Sequence, residues 1–239
     1  MNLNSKIAIV TGASSGLGKS FSKALIEKGA QVYGLARRSK VLNQIHKDLG
    51  DAFKPVVIDV TDASKLEQWV STTFDTKHSP DILINNAGIG IFSKTDELSL
   101  EQWQTMINTN LSAVFYLSRL IIPLMKSQDS VNHIINIGSI AGKVSNPQLS
   151  GYNASKFGLT GFSESMMKEV RYDKIKVTCI FPGSTATHFF EKSGGPSTHD
   201  NMLHPDDVAK TVIHVLRTPD NFLINEVVMR PLNPKPPKK

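Results

Sequence analysis

The sequence predicts an α/β fold: one doubly wound domain whose seven-stranded parallel sheet carries helices on both faces. Two observations carry this. Seven short apolar runs recur at 7–10, 32–36, 56–58, 82–84, 134–137, 177–181 and 227–229. They are mostly β-branched and continuous rather than alternating, as strands buried on both faces are. Longer helical patterns fill the gaps, and strands alternating with helices build a parallel sheet. The series runs without a linker, so residues 1–230 form a single domain, followed by a tail at 231–239.

Composition narrows the function classes. The 239 residues are 40% hydrophobic and 20% charged, enough apolar content for a sizeable core. One cysteine excludes an internal disulfide framework and a cysteine-based zinc site. The most apolar stretch, 111–125, is broken by Ser112, Ser118 and Arg119, whereas a membrane span needs about 20 apolar residues. After Lys6 only four apolar residues precede Thr11, which is no signal peptide. A soluble cytoplasmic protein is expected. The formal net charge of +6 raises a nucleic-acid reading, but half of it comes from Lys235, Lys238 and Lys239 in the proline-rich tail. No helix-turn-helix, aromatic platform or basic stripe accompanies it, so no nucleic-acid partner is expected.

The first strand runs into Thr11-Gly12-Ala13-Ser14-Ser15-Gly16-Leu17-Gly18 and then a helix with Leu17, Phe21, Ala24 and Leu25 on one face. Glycines between strand and helix allow a tight turn and close approach of a diphosphate to the helix N-terminus. The spacing departs from the generic G-x-G-x-x-G, and a purely structural turn is the alternative. The second strand ends in Arg37-Arg38, where an NAD-binding unit would place an acid for the ribose. A guanidinium fork suits a 2′-phosphate, which favours NADP(H); solvated loop charges are the alternative. Leu66, Trp69, Val70 and Phe74 repeat the helical spacing after the third strand.

A helix over 109–127 is apolar nearly all round and must be covered on more than one side. Deep burial or a subunit interface would satisfy it, and the interface is preferred. Ser139 follows the fifth strand, at the carboxyl end where open α/β sheets bind ligands. A helix over 152–172 then opens with Tyr152-x-x-x-Lys156, which puts both side chains on one face. An adjacent ammonium is expected to lower the tyrosine pKa and fit it for proton transfer. Residues 184–203 show no clear strand and form a loop punctuated by Gly194-Gly195-Pro196.

The sequence resembles the short-chain dehydrogenase/reductase family in its compact one-domain form, over nearly its whole length. The matching residues are Thr11-Gly12-x-x-x-Gly16-x-Gly18, Asp59, Asn85-Asn86-Ala87-Gly88, Asn110, Ser139, Tyr152-x-x-x-Lys156 and Pro182-Gly183. The resemblance implies a Rossmann-type fold and a hydride transfer between NADP(H) and a carbonyl or alcohol. It implies that Tyr152 is the general acid/base, Lys156 lowers its pKa and binds the nicotinamide ribose, and Ser139 polarises the carbonyl. Asn110 would hold a water linking Lys156 to solvent. Gly12, Ser14, Ser15, Gly16, Leu17, Gly18, Asp59, Val60, Asn86, Ala87, Gly88, Pro182, Gly183, Thr185 and Thr187 would line the cofactor, with Arg37 and Arg38 on its 2′-phosphate.

The substrate pocket is expected from Phe92, Ala141, Val144, Leu149, Phe189 and Phe190, with 184–203 as the substrate loop. This lining suits a small to medium apolar ketone or aldehyde. An acyl-carrier-protein thioester is the alternative substrate, weakened because the helix ends read Ser127-Gln128-Asp129 and Tyr172-Asp173-Lys174 rather than basic. A non-catalytic NADP-sensing regulator is a further alternative. Sensor-type relatives typically lose the tyrosine or lysine, and both are present. A homotetramer is expected, with a dimer as the alternative. No metal site is expected: the histidines show no H-E-x-x-H spacing. Cys179, in an apolar strand, reads as an inert buried thiol.

Overall fold

A computed structural model describes residues 1–187, 189 and 197–236. Seven parallel strands form one sheet: β1 (Ile7–Thr11), β2 (Gln31–Ala36), β3 (Phe53–Val57), β4 (Ile82–Asn85), β5 (Asn132–Ile137), β6 (Ile175–Pro182) and β7 (Glu226–Met229). Their order is β3-β2-β1-β4-β5-β6-β7. The helices are α1 (Gly16–Ile26), α2 (Ser39–Leu49), α3 (Ala63–Thr73), α4 (Leu100–Ile107), α5 (Ala113–Lys126), α6 (Ser150–Val170) and α7 (Pro205–Leu216).

Strand alternation divides the core. Ala8, Val10, Ile82, Ile84, Ile135 and Ile180 point to the face covered by Phe21 and Leu25 of α1, Leu42 and Ile45 of α2, and Val212 of α7. Ile9, Leu83, Ile134 and Val177 point the other way, onto Leu66 of α3, Leu117 and Ile121 of α5, and Met166 of α6. Each such buried side chain is worth about 1.5–3 kcal/mol. The central strands are buried on both faces as expected, but the edge strands are not: β3 ends in exposed Val57 and β7 exposes Val228. β3 also begins at Phe53, earlier than its apolar run, because Pro55 is tolerated on an edge strand.

The all-apolar helix is shorter than expected and is built differently. α4, capped by a Ser99–Gln102 box, passes into a π-helical turn, Asn108–Ser112, before α5 begins. The extra residue in that turn rotates Asn110 into the protein, where it is fully buried. α6 ends in the 3-10 turn Arg171–Asp173. Among the described residues of the loop after β6, Thr185 and Leu203 form a strand-like bridge. Among the described residues, no helix is long and apolar enough to cross a membrane.

The turn between β1 and α1 depends on two glycines. Gly12 has φ +67°, a left-handed conformation that favours glycine. A Cβ on Gly18 would lie 2.3 Å from the Gly12 carbonyl oxygen and 2.7 Å from Asn86 Nδ2. The first of these is backbone and cannot give way. Gly18→Ala should therefore lose about 1–3 kcal/mol in urea denaturation. Unchanged stability would show that the helix does not sit this close to the turn.

Candidate active site

Tyr152 and Lys156 lie one turn apart in α6, with residual exposures of 5% and 4%. The Lys156 ammonium donates to the Ile137 carbonyl at the end of β5, at 2.8 Å, and lies 5.8 Å from the Tyr152 ring centroid. Ser139 follows two residues after Ile137. Its hydroxyl hydrogen-bonds Tyr152 and accepts from the Ala141 N–H at 3.1 Å.

Burial controls the charges here. It pushes the Tyr152 phenol up to about 12, against a smaller downward pull from the Ser139 bond. It lowers Lys156 to about 8. The sequence leads one to expect that Lys156 lowers the tyrosine pKa; burial acts on it in the opposite sense. Both groups are desolvated, so each neutral form is favoured, and the ammonium is bonded to a carbonyl rather than to the phenol.

Asn110 is fully buried. Its Oδ1 accepts from the Ile89 N–H at 2.8 Å; its Nδ2 donates to the Ile89 carbonyl at 2.8 Å and to Ser155 Oγ at 2.9 Å. Ser155 donates in turn to the Tyr152 carbonyl at 2.7 Å. The side chain ties the segment after β4 to the first turn of α6. Gly88 lies beside it: a Cβ there would be 3.2 Å from Asn110 Oδ1 and 3.7 Å from Lys156 Nζ.

Beyond the Gly12–Gly18 turn, the Thr11 hydroxyl accepts the N–H groups of Asn86 and Ala87, each at 2.9 Å. The Asn86 amide donates to the Thr11 carbonyl at 2.8 Å. Arg38 spreads over the turn, donating to Ser14 Oγ and Ser15 Oγ at 2.8 and 2.9 Å. Arg37 is 75% exposed and lies 3.6 Å from Asp59. Burial acts to raise the Asp59 carboxyl, but bonds from Thr61 and the Arg37 charge outweigh it and hold it below its ordinary value. Val60 and Leu17 pack into the two core faces. Pro182 ends β6, Gly183 donates to Met229 of β7, and Thr187 closes over Gly16.

This edge fits a dinucleotide. Ser15 precedes α1 without bonding the helix, so the first-turn N–H groups have no side-chain acceptor. A Cβ on Gly12 would fall 2.9 Å from Asn86 Nδ2, so the glycine lets the segment after β4 pack directly on the turn. The Arg38 guanidinium lies against the same turn, and Arg37 precedes it beside Asp59.

On the other side of Tyr152, Met106, Ala141 and Leu149 are buried against its ring, with Ile89, Ile91, Phe92, Leu98 and Phe189 packed around them. The Phe189 ring centroid is 5.9 Å from that of Tyr152. The walls are joined where Ser93 pairs with Leu149 and donates its N–H to the Gln148 carbonyl. Val144 stands outside this cluster at 50% exposure, and Phe190 lies outside the described residues. Among the described residues, no three His, Cys, Asp or Glu side chains gather as metal ligands. The Cys179 thiol is buried and pushed up to about 11 by that burial.

Sequence reasoning missed several supporting groups. Asn85 donates to Asn136 at 2.9 Å, and Asn136 donates to Ser163 at 2.9 Å, beneath the site. The signal was available: each asparagine interrupts an apolar strand. Asn153, beside Tyr152, was also passed over; it donates to the Ala141 and Val144 carbonyls.

Residues 6–196 match the protein family described as short chain dehydrogenase. An uncharacterized oxidoreductase of Staphylococcus epidermidis is 33% identical over 227 residues, covering 95% of this chain and 97% of that one. Serine dehydrogenase complexed with NADP+ superimposes with a TM-score of 0.86 at 30% identity, over 93% of this chain and 94% of its own. A 3-ketoacyl-(acyl-carrier-protein) reductase from Brucella melitensis, complexed with NADH, gives a TM-score of 0.86 at 25% identity, over 95% and 97%.

Proposed function

The chain belongs to the short chain dehydrogenase family, and from that premise we propose an NADP(H)-dependent oxidoreductase. Its substrate is a small to medium apolar ketone or aldehyde, or the matching secondary alcohol. The observation that carries this reading is the Tyr152 hydroxyl, bonded to Ser139 and facing an apolar pocket.

The cofactor supplies hydride chemistry when bound. It would be held by Gly12, Ser14, Ser15, Gly16, Leu17 and Gly18 at the turn, by Asp59, Val60, Asn86, Ala87 and Gly88 beside it, and by Pro182, Gly183, Thr185 and Thr187 opposite. Tyr152 and Lys156 complete that set. A phenol held near pKa 12 keeps its proton at neutral pH. Tyr152 is therefore the proton donor to a carbonyl oxygen as negative charge develops there. Ser139 donates to the same oxygen and fixes it in line with the phenol. The Lys156 ammonium, held by Ile137, offsets the charge left on Tyr152 after transfer. Ionisation in this order favours carbonyl reduction.

NADP(H) rather than NAD(H) follows from Arg37 and Arg38 at the end of β2. Arg38 is bound to the turn, while the exposed Arg37 guanidinium offers a fork to a 2′-phosphate. The acyl-carrier-protein thioester is the second reading, favoured by the Brucella relative. Against it, Lys126 and Lys174 at the helix ends are already paired with Asp173 and Asp129. A cytoplasmic homotetramer is part of the proposal, with the exposed Phe115 and Phe157 of α5 and α6 covered by a second copy.

Purified protein should oxidise NADPH with a carbonyl from a panel of aldehydes, ketones, diketones and oxo-esters, followed by absorbance. Tyr152→Phe should lower kcat by roughly 10²- to 10⁴-fold and leave NADPH binding intact. No turnover across the panel would favour the sensor, and an active Tyr152→Phe would remove the proposed donor. Arg37→Ala should weaken NADPH by about tenfold or more, as loss of a charged hydrogen bond does, and leave NADH little changed. Equal weakening of both would sink the 2′-phosphate assignment.

A further inference from the structure

We infer that Asn153 is a positioning residue for the reaction: it sets the distance between Ser139 and Tyr152 by clamping the segment that carries Ser139 onto α6. The inference rests on the proposed role of Tyr152 as proton donor.

Ser139 and Tyr152 come from different elements. Ser139 leaves β5 and opens the 3-10 turn Ile140–Gly142, while Tyr152 sits in the first turn of α6. A loop with six exposed positions in a row, 143–148, separates them, so the chain between them does not by itself fix their spacing. Asn153 spans the gap. It is 5% exposed, and its Nδ2 donates to the Ala141 carbonyl at 2.7 Å and the Val144 carbonyl at 3.2 Å. Its Oδ1 accepts from the Asn146 N–H at 3.4 Å. One amide thus grips the segment two, five and seven residues beyond Ser139.

The side chain uses both ends, and no substitute matches it. Aspartate would set an anion against two carbonyl oxygens, and leucine would leave those buried carbonyls unpaired. Two other contacts, Thr160 to the Gly142 carbonyl at 3.3 Å and Ser139 to the Ala141 N–H, hold parts of the same turn. They do not reach Val144 or Asn146. These bonds of Asn153 go to backbone groups of Ala141, Val144 and Asn146, so it acts through the separation of Ser139 and Tyr152. A displacement of about 1 Å between reacting groups costs on the order of 100-fold in rate.

The test is a double-mutant cycle on the full chain, using the carbonyl that the panel turns over fastest and single-turnover oxidation of NADPH. Asn153→Leu should lower kcat at least tenfold, with NADPH affinity unchanged within twofold. In a Ser139→Ala background the same change should lower the rate less than threefold, because the group it positions is gone. Equal losses in both backgrounds, or a wild-type kcat in Asn153→Leu, would overturn the inference. If Asn153→Leu does not fold, Asn153→Ser, which keeps a shorter donor, is read in the same cycle by the same criteria. Tyr152→Phe separates the two claims: activity in that variant removes the reading beneath, whereas its inactivity beside a fully active Asn153→Leu removes this inference alone.

Discussion

The parallel pairing of β1 with β4 is the constraint on which the rest of the molecule hangs. Ala8, Ile9 and Val10 lie in register with Ile82, Leu83 and Ile84. Strand order reverses at this point, so the connections leaving β1 and β4 turn to opposite faces and a crevice opens between them. Thr11 and Asn86 leave the sheet side by side, and Asn86 donates twice to Thr11, from its backbone N–H to the hydroxyl and from its side-chain amide to the carbonyl. The glycine turn can approach no closer than Asn86 allows, and α1 can approach no closer than Gly12 allows. The nucleotide edge is thus a consequence of strand register.

The reacting groups are held by a second device, buried polar networks at the carboxyl ends of β4 and β5. Asn85, Asn136 and Ser163 form one; Asn110, Ile89 and Ser155 form another. Such networks are costly if half-made and rigid when complete. The first joins the sheet to α6 at Ser163, about two turns beyond Lys156; the second joins the segment after β4 to the turn of α6 that carries Tyr152 and Lys156. The same enclosure that fixes their positions strips them of water. Position and protonation state therefore have one cause: a neutral phenol and a weakened ammonium come from placing both behind the end of β5.

Most of the architecture was legible in the sequence because central parallel strands are apolar on both faces and leave continuous runs. The edge strands were less so: β3 carries Pro55 and an exposed Val57, and its first residues do not look buried. The π-helical turn at Asn108–Ser112 was hidden, since Leu111 continues the apolar pattern and hydrophobic spacing does not register one extra residue. At the site, Tyr152, Lys156 and Ser139 could be found from spacing alone. The direction of the Tyr152 shift could not, because it turns on desolvation, which a pair of residues in a sequence does not carry. The partners of Asn110, the Ile89 backbone and the Ser155 hydroxyl, lie 21 and 45 residues away, beyond what local spacing carries.

The central claim is that burial keeps Tyr152 a neutral proton donor. Ultraviolet titration of phenolate absorbance, taken as the difference between the wild-type chain and Tyr152→Phe, measures this directly. A group held near 12 gives no difference signal through neutral and mildly alkaline pH, up to the point where the chain unfolds. A phenolate signal belonging to Tyr152 that rises near neutral pH would contradict the account and return the tyrosine to the control of Lys156.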